Sequence, residues 1–107
     1  MNYQIEDVKK LLSCSATIEY RRYEDGVKAQ ALKSYNTFVA ILLEDGNLYL
    51  GYDYDCSMTT MRHLKKWLAL NGVSTSIPKL RQQIKEGTVK VVPTLALIWA
   101  RETPTLW

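Results

Sequence analysis

His63 is the only histidine in the chain, so any histidine-based metal centre or nucleophile–base pair would have to be assembled around it. Cys56 lies seven residues upstream. A thiol beside an imidazole can act as a nucleophile or supply two zinc ligands, but zinc takes four ligands and a catalytic pair needs a third group to orient the base. No recognisable motif marks a third orienting group or further ligands for the pair, which makes it a weak signal. Asp53-Tyr54-Asp55 sets two carboxylates two residues apart, as at the start of a calcium loop. Counted from Asp53, the positions where that loop needs Gly and a bidentate Glu hold Met58 and Leu64, which removes calcium from consideration. There is also no glycine-rich phosphate loop and no Gly-x-Ser-x-Gly elbow. The expectation is a non-enzymatic protein with no cofactor and no metal.

Charge gives a second kind of candidate. Residues 1–58 carry six basic and nine acidic groups, whereas residues 59–107 carry eight basic and two acidic ones, within an overall charge of +3. The basic half contains Arg62, Lys65, Lys66, Lys79, Arg81 and Lys85, which would contact nucleic-acid phosphates without reading bases. A solvated helix face accounts for the same six residues. The order helix, Gly72 turn, helix is that of a helix-turn-helix reader. The detail departs from it: Leu68 falls where a small residue lets the helices approach, and Pro78 and Arg81 fall where apolar residues face the first helix.

A third candidate is aromatic. With seven tyrosines and three tryptophans the chain is rich in residues favoured as interface anchors. Strand alternation would put Tyr52 and Tyr54 on one face, beside Tyr49 and flanked by Asp53 and Asp55. Such an acidic aromatic edge would imitate nucleic acid or enter a basic groove on a protein. A sheet face half-buried under a helix is the plainer explanation.

These residues must be positioned by regular elements. Ile5, Val8, Leu11 and Leu12 recur at helical spacing behind Glu6 and Asp7, which predicts a first helix from near Asn2 through Tyr3 to Ser13. Thr17–Tyr23 and Val27–Lys33 read as a hairpin about Glu24-Asp25-Gly26. Thr37–Leu43 and Leu48–Tyr52 read as a central hairpin about Asp45-Gly46-Asn47. Ser57 or Thr59 caps the next helix, with Met61, Leu64, Trp67 and Leu68 inward and Gly72 at its end. A further helix runs from Ser76 to Glu86, with Pro78 in its first turn, Ile77, Leu80 and Ile84 inward, and Gly87 stopping it. Thr88–Val92 and Leu95–Trp99, divided by Pro93, read as an edge strand or strand pair. The last residues, to Leu106 and Trp107, read as a tail or an apolar plug.

At 107 residues, 47% apolar and 23% charged, the chain suits one domain. No apolar run approaches the roughly 20 residues that cross a bilayer, and the N-terminus lacks a signal-like apolar stretch. The expectation is a cytosolic protein whose Cys14 and Cys56 stay reduced and pack as small hydrophobes. The fold class expected is α+β, a small antiparallel sheet packed against two or three helices.

Ser34-Tyr35-Asn36-Thr37 with Val39-Ala40, the Gly46 hairpin, and Ser57, Thr59-Thr60 and Arg62-His63 at a helix start resemble a domain of short phage and prophage proteins of uncharacterised function. Asp53-Tyr54-Asp55 and the N-terminal extension depart from its usual pattern. The resemblance implies a phage or mobile-element setting in a bacterial host and no enzymatic activity. The reading that follows is a protein that binds and inhibits a host defence protein, as an anti-CRISPR protein does with a CRISPR nuclease. The alternative is a small nucleic-acid-binding or regulatory protein using the basic helices.

Overall fold

The computed structural model describes residues 3–11 and 15–93. Within them are β1 (Tyr3–Leu11), β2 (Ala16–Tyr23), β3 (Lys28–Ser34), β4 (Thr37–Leu43), β5 (Leu48–Gly51), α1 (Met58–Leu70), α2 (Ile77–Glu86) and β6 (Lys90–Val92). The strands form one sheet in chain order, antiparallel from β1 to β5, with β6 parallel to β5 at the far edge. The class is α+β. The expected strand Leu95–Trp99, the segment to Trp107, and Cys14 lie outside the described residues.

The N-terminal helix expected from Tyr3 to Ser13 is instead strand β1, paired with β2 along its length. The cause is a bulge. Between Ile5 and Asp7 the register slips by one, so Ile5 lies opposite Arg21 and Val8 opposite Glu19. An inserted residue keeps positions three apart on one face, and that spacing imitates a helix.

The other elements follow local chemistry. Gly46, at φ +94°, supplies the backbone that the β4–β5 turn requires, and Asp45 Oδ1 accepts from the Asn47 N–H at 2.9 Å. Ser57 caps α1 by accepting from the Thr60 N–H at 3.1 Å, and Ser76 caps α2 by accepting from the Lys79 N–H at 3.3 Å. Neither cap needs help from an acidic first turn.

Alternation along the strands divides the apolar residues into two clusters. One joins Ile18, Leu32, Ala40, Leu48 and Leu50 to Leu64, Trp67, Leu68 and Leu80 from the helices. Three side chains of β3 that share this face, Gln30, Leu32 and Ser34, set the position of α1. The Trp67 indole N–H donates to Gln30 Oε1 at 3.0 Å, and the Gln30 and Asn71 amides bond to each other at 2.8 and 3.2 Å. At the other end of the strand, Ser34 Oγ lies 2.9 Å from His63 Nδ1 and 3.4 Å from Thr60 Oγ1. The spans agree: Gln30 to Ser34 covers about 13 Å of strand and His63 to Asn71 about 12 Å of helix.

The opposite face holds Tyr23, Ala29, Ala31, Ile41, Leu43 and Val92, with Tyr3, Phe38 and Tyr49 packed against them. Arg21 is buried there at 1% exposure. Its guanidinium lies 4.2 Å from the centre of the Tyr3 ring and 5.1 Å from that of Phe38, and its Nε donates to Glu19 Oε1 at 2.7 Å. Burying that cation is tolerable because a carboxylate and two ring faces replace water.

Two outcomes follow. Glu19→Ala removes the carboxylate from a buried cation and should lower unfolding free energy by about 3 kcal/mol in urea titrations, whereas a loss below about 1 kcal/mol would contradict this role. His63, buried beside Ser34, has its pKa lowered below the ordinary 6.5 by desolvation. Unfolded chains therefore take up the proton first as pH falls. Stability should be full above about pH 6.5 and decline as pH drops through that value toward the lower folded pKa, and His63→Gln should flatten that decline. Equal slopes for the two proteins would contradict it.

Candidate functional site

Each candidate can be placed on this frame. All six basic residues, Arg62, Lys65 and Lys66 of α1 and Lys79, Arg81 and Lys85 of α2, are exposed. The sides of α1 and α2 that carry Leu64, Trp67, Leu68 and Leu80 are buried, so the cations occupy the outward sides. Between Met58 and Glu86 the only acidic residue is Glu86. Among the described residues, Arg81 is the one of the six with an ion-pair partner, Asp55 at 3.5 Å, and both groups are solvated enough for that pair to contribute little.

The acidic tyrosine edge does not form as expected. β5 ends at Gly51 and a turn follows, so the alternation that would align Tyr52 with Tyr54 stops before reaching them. Tyr54 is 8% exposed and belongs to the cluster under the helices, Tyr49 packs on the opposite face, and only Tyr52, at 64%, stands in solvent. Tyr52, Asp53 and Asp55 are what remains available of that candidate, all in the turn leading into α1.

Five of the residues that carry the phage-domain resemblance, Ser34, Tyr35, Ser57, Thr60 and His63, come together. Ser57 Oγ donates to Thr60 Oγ1 at 3.1 Å, Thr60 Oγ1 lies 3.4 Å from Ser34 Oγ, and Ser34 reaches His63. Tyr35, between Ser34 and Asn36, holds a left-handed φ of +55° with its N–H donating to the Ser15 carbonyl at 2.6 Å, and its ring centre is 6.1 Å from that of His63. This is a backbone conformation that tyrosine adopts only where its surroundings enforce it. The contacts of Ser34 with Thr60 and His63, and of Tyr35 with His63, tie the β3–β4 turn to the start of α1, so these residues are accounted for as a joint.

A cleft of about 160 Å³ opens beside that joint, between Ser34, Tyr35, Asp53, Cys56 and Thr60. Cys56 does not pack as a small hydrophobe: its thiol is exposed, 3.7 Å from Thr60 Oγ1. Ser34 and His63 stand at nucleophile–base distance, but both are buried and no carboxylate orients the imidazole among the hydrogen bonds of the described residues. No group of three metal-ligating side chains occurs among those residues either. A wider cleft of about 450 Å³ lies past the C-terminal end of α1, where Gln30 and Asn71 are bonded to each other. No helix of the described residues is long and apolar enough to cross a membrane.

Two features escaped sequence reasoning. The Gln30–Trp67–Asn71 bonds join residues 37 and 41 positions apart, and their signals are a polar residue at an inward strand position and a tryptophan whose N–H needs a partner. Arg21 gave no signal beyond a charged residue at an inward position of a strand.

No curated protein and no solved structure matches the chain. One family model does, described as a family of unknown function, DUF8033, and it aligns with residues 4–86, from β1 through α2 and well beyond the Ser34–Gly72 segment. That span holds both ends of the β3–α1 contact and both basic helices, and by it the chain belongs to the DUF8033 family.

Proposed function

We propose that this chain is a non-catalytic binding protein that uses the outward faces of α1 and α2 against a polyanion, the phosphate backbone of a nucleic acid. The observation that carries this reading is six exposed cations on two adjacent helices with Glu86 as the single acid among them. Cations spread over two helices match a phosphate backbone by charge. With side chains as flexible as Lys65, Lys66 and Lys85, such a surface positions the ligand and reads no sequence. Binding of this kind is driven by counterion release and falls steeply with salt.

A second reading keeps the same non-enzymatic class and takes a protein as partner: inhibition of a host defence protein, such as a CRISPR nuclease, by a phage or mobile-element protein in a bacterial cytoplasm. Tyr52 favours it, because a large aromatic at 64% exposure beside Asp53 and Asp55 is the composition of an interface anchor facing a basic groove.

Duplex binding measured by fluorescence anisotropy across a salt series separates the two. Under the polyanion reading, affinity falls with salt, Lys65→Glu with Lys66→Glu reduces the log–log slope by about 2 and weakens binding to every sequence alike, and Tyr52→Ala leaves it unchanged. Both lysines are exposed, so the fold is retained. Salt-independent binding, or an unchanged slope in the double variant, would overturn it. The inhibitor reading predicts the reverse pattern, with Tyr52→Ala abolishing capture of one host protein from nuclease-treated lysate.

A further inference from the structure

β1 is an edge strand with an unusual exposure. Among the described residues it pairs on one side only, with β2, and every residue from Gln4 to Lys10 is exposed. Ile5 and Val8 share one face at 54% exposure each. The Val8 N–H donates to the exposed carboxylate of its own neighbour, Asp7, at 2.9 Å. A long strand that shows both faces and one backbone edge to solvent is a template for another strand.

The side chains along it specify which strand. The run Glu6-Asp7-Val8-Lys9-Lys10 places two acids before Val8 and two bases after it. A second copy laid antiparallel with Val8 opposite Val8 sets Asp7 against Lys9 of that copy and Glu6, which also pairs with Arg22 of β2 at 2.8 Å, against its Lys10, and the reciprocal pairs follow from the two-fold axis. Shifting the centre to Asp7 or Lys9 opposes a charge with itself, and a parallel in-register copy opposes like with like throughout. The lysines and the bulge at Glu6 discourage pairing with arbitrary strands, and the order of the charges admits this one.

We propose that the chain self-associates through β1, as an antiparallel two-fold dimer centred on Val8 that joins two sheets edge to edge. An axis through Val8 perpendicular to the sheet leaves both helix layers on the same side of the joined sheet, so the basic faces of the two copies point the same way. The proposal stands apart from the polyanion reading, since the association needs no nucleic acid. One strand pair is a small interface, so the dimer dissociates on dilution, in roughly the micromolar range.

Sedimentation velocity of the full chain over a concentration series, without nucleic acid, tests it. The expected result is a monomer–dimer equilibrium that weakens with salt. The charge-reversed chains Glu6→Lys/Asp7→Lys and Lys9→Glu/Lys10→Glu should each raise the dissociation constant by more than about tenfold, and an equimolar mixture of the two should recover a one-to-one dimer. Val8→Lys, at an exposed position, sets like charges on the axis and gives the same readout if a charge-reversed chain fails to fold. A wild-type chain that stays monomeric, variants that dimerise as the wild type does, or a mixture that recovers nothing would each overturn the proposal.

Discussion

The bonds that β3 makes to α1 decide where the rest of the molecule goes. Hydrophobic contact through Leu32, Leu64 and Leu68 holds the helix against the sheet, but such contact tolerates sliding. Polar bonds do not. Trp67 and Asn71 meet Gln30 at one end, His63 and Thr60 meet Ser34 at the other, and a slip of the helix by one residue would leave a buried indole N–H or hydroxyl without a partner. Apolar packing supplies attraction in the middle, and the two polar ends supply position.

Fixing α1 fixes the surface. With Leu64, Trp67 and Leu68 turned inward, Arg62, Lys65 and Lys66 face out, and α2 adds Lys79, Arg81 and Lys85 while burying Leu80 in the same cluster. The net positive charge of the C-terminal half is therefore gathered on the helix layer, while most acids lie on the strands and turns of the meander. The other face of the sheet is maintained separately, by Arg21 held between Tyr3 and Phe38 and balanced by Glu19. Each face thus has its own polar anchor within an apolar cluster.

Much of this was legible in the sequence where local chemistry governs. The β4–β5 hairpin, a cap at one of the two candidates Ser57 and Thr59, a second helix starting near Ser76, the stop at Gly87 and the edge position of β6 among the described residues follow from turn glycines, side-chain caps and proline, which act within a few residues. Two readings failed where strand alternation is interrupted. At Glu6 a bulge turned a strand into an apparent helix, and at Gly51 a strand ended before Tyr52 and Tyr54 could share a face. The β3–α1 bonds and the Arg21 stack were out of reach, because they join residues that only the folded topology brings together. The six basic residues are exposed, which a solvated helix face and a phosphate-binding surface require alike.

A double-mutant cycle on Gln30 and Trp67 bears most directly on the claim that this contact sets the helix position. Gln30→Met and Trp67→Phe remove the bond from either side while keeping most of the volume. Unfolding free energies of the two single variants and the double variant should reveal a coupling of about 1 kcal/mol or more, as for a buried hydrogen-bonded pair. Additive effects, within about 0.3 kcal/mol, would mean that the Gln30–Trp67 bond does not place α1, and this end of the contact would lose the role assigned to it.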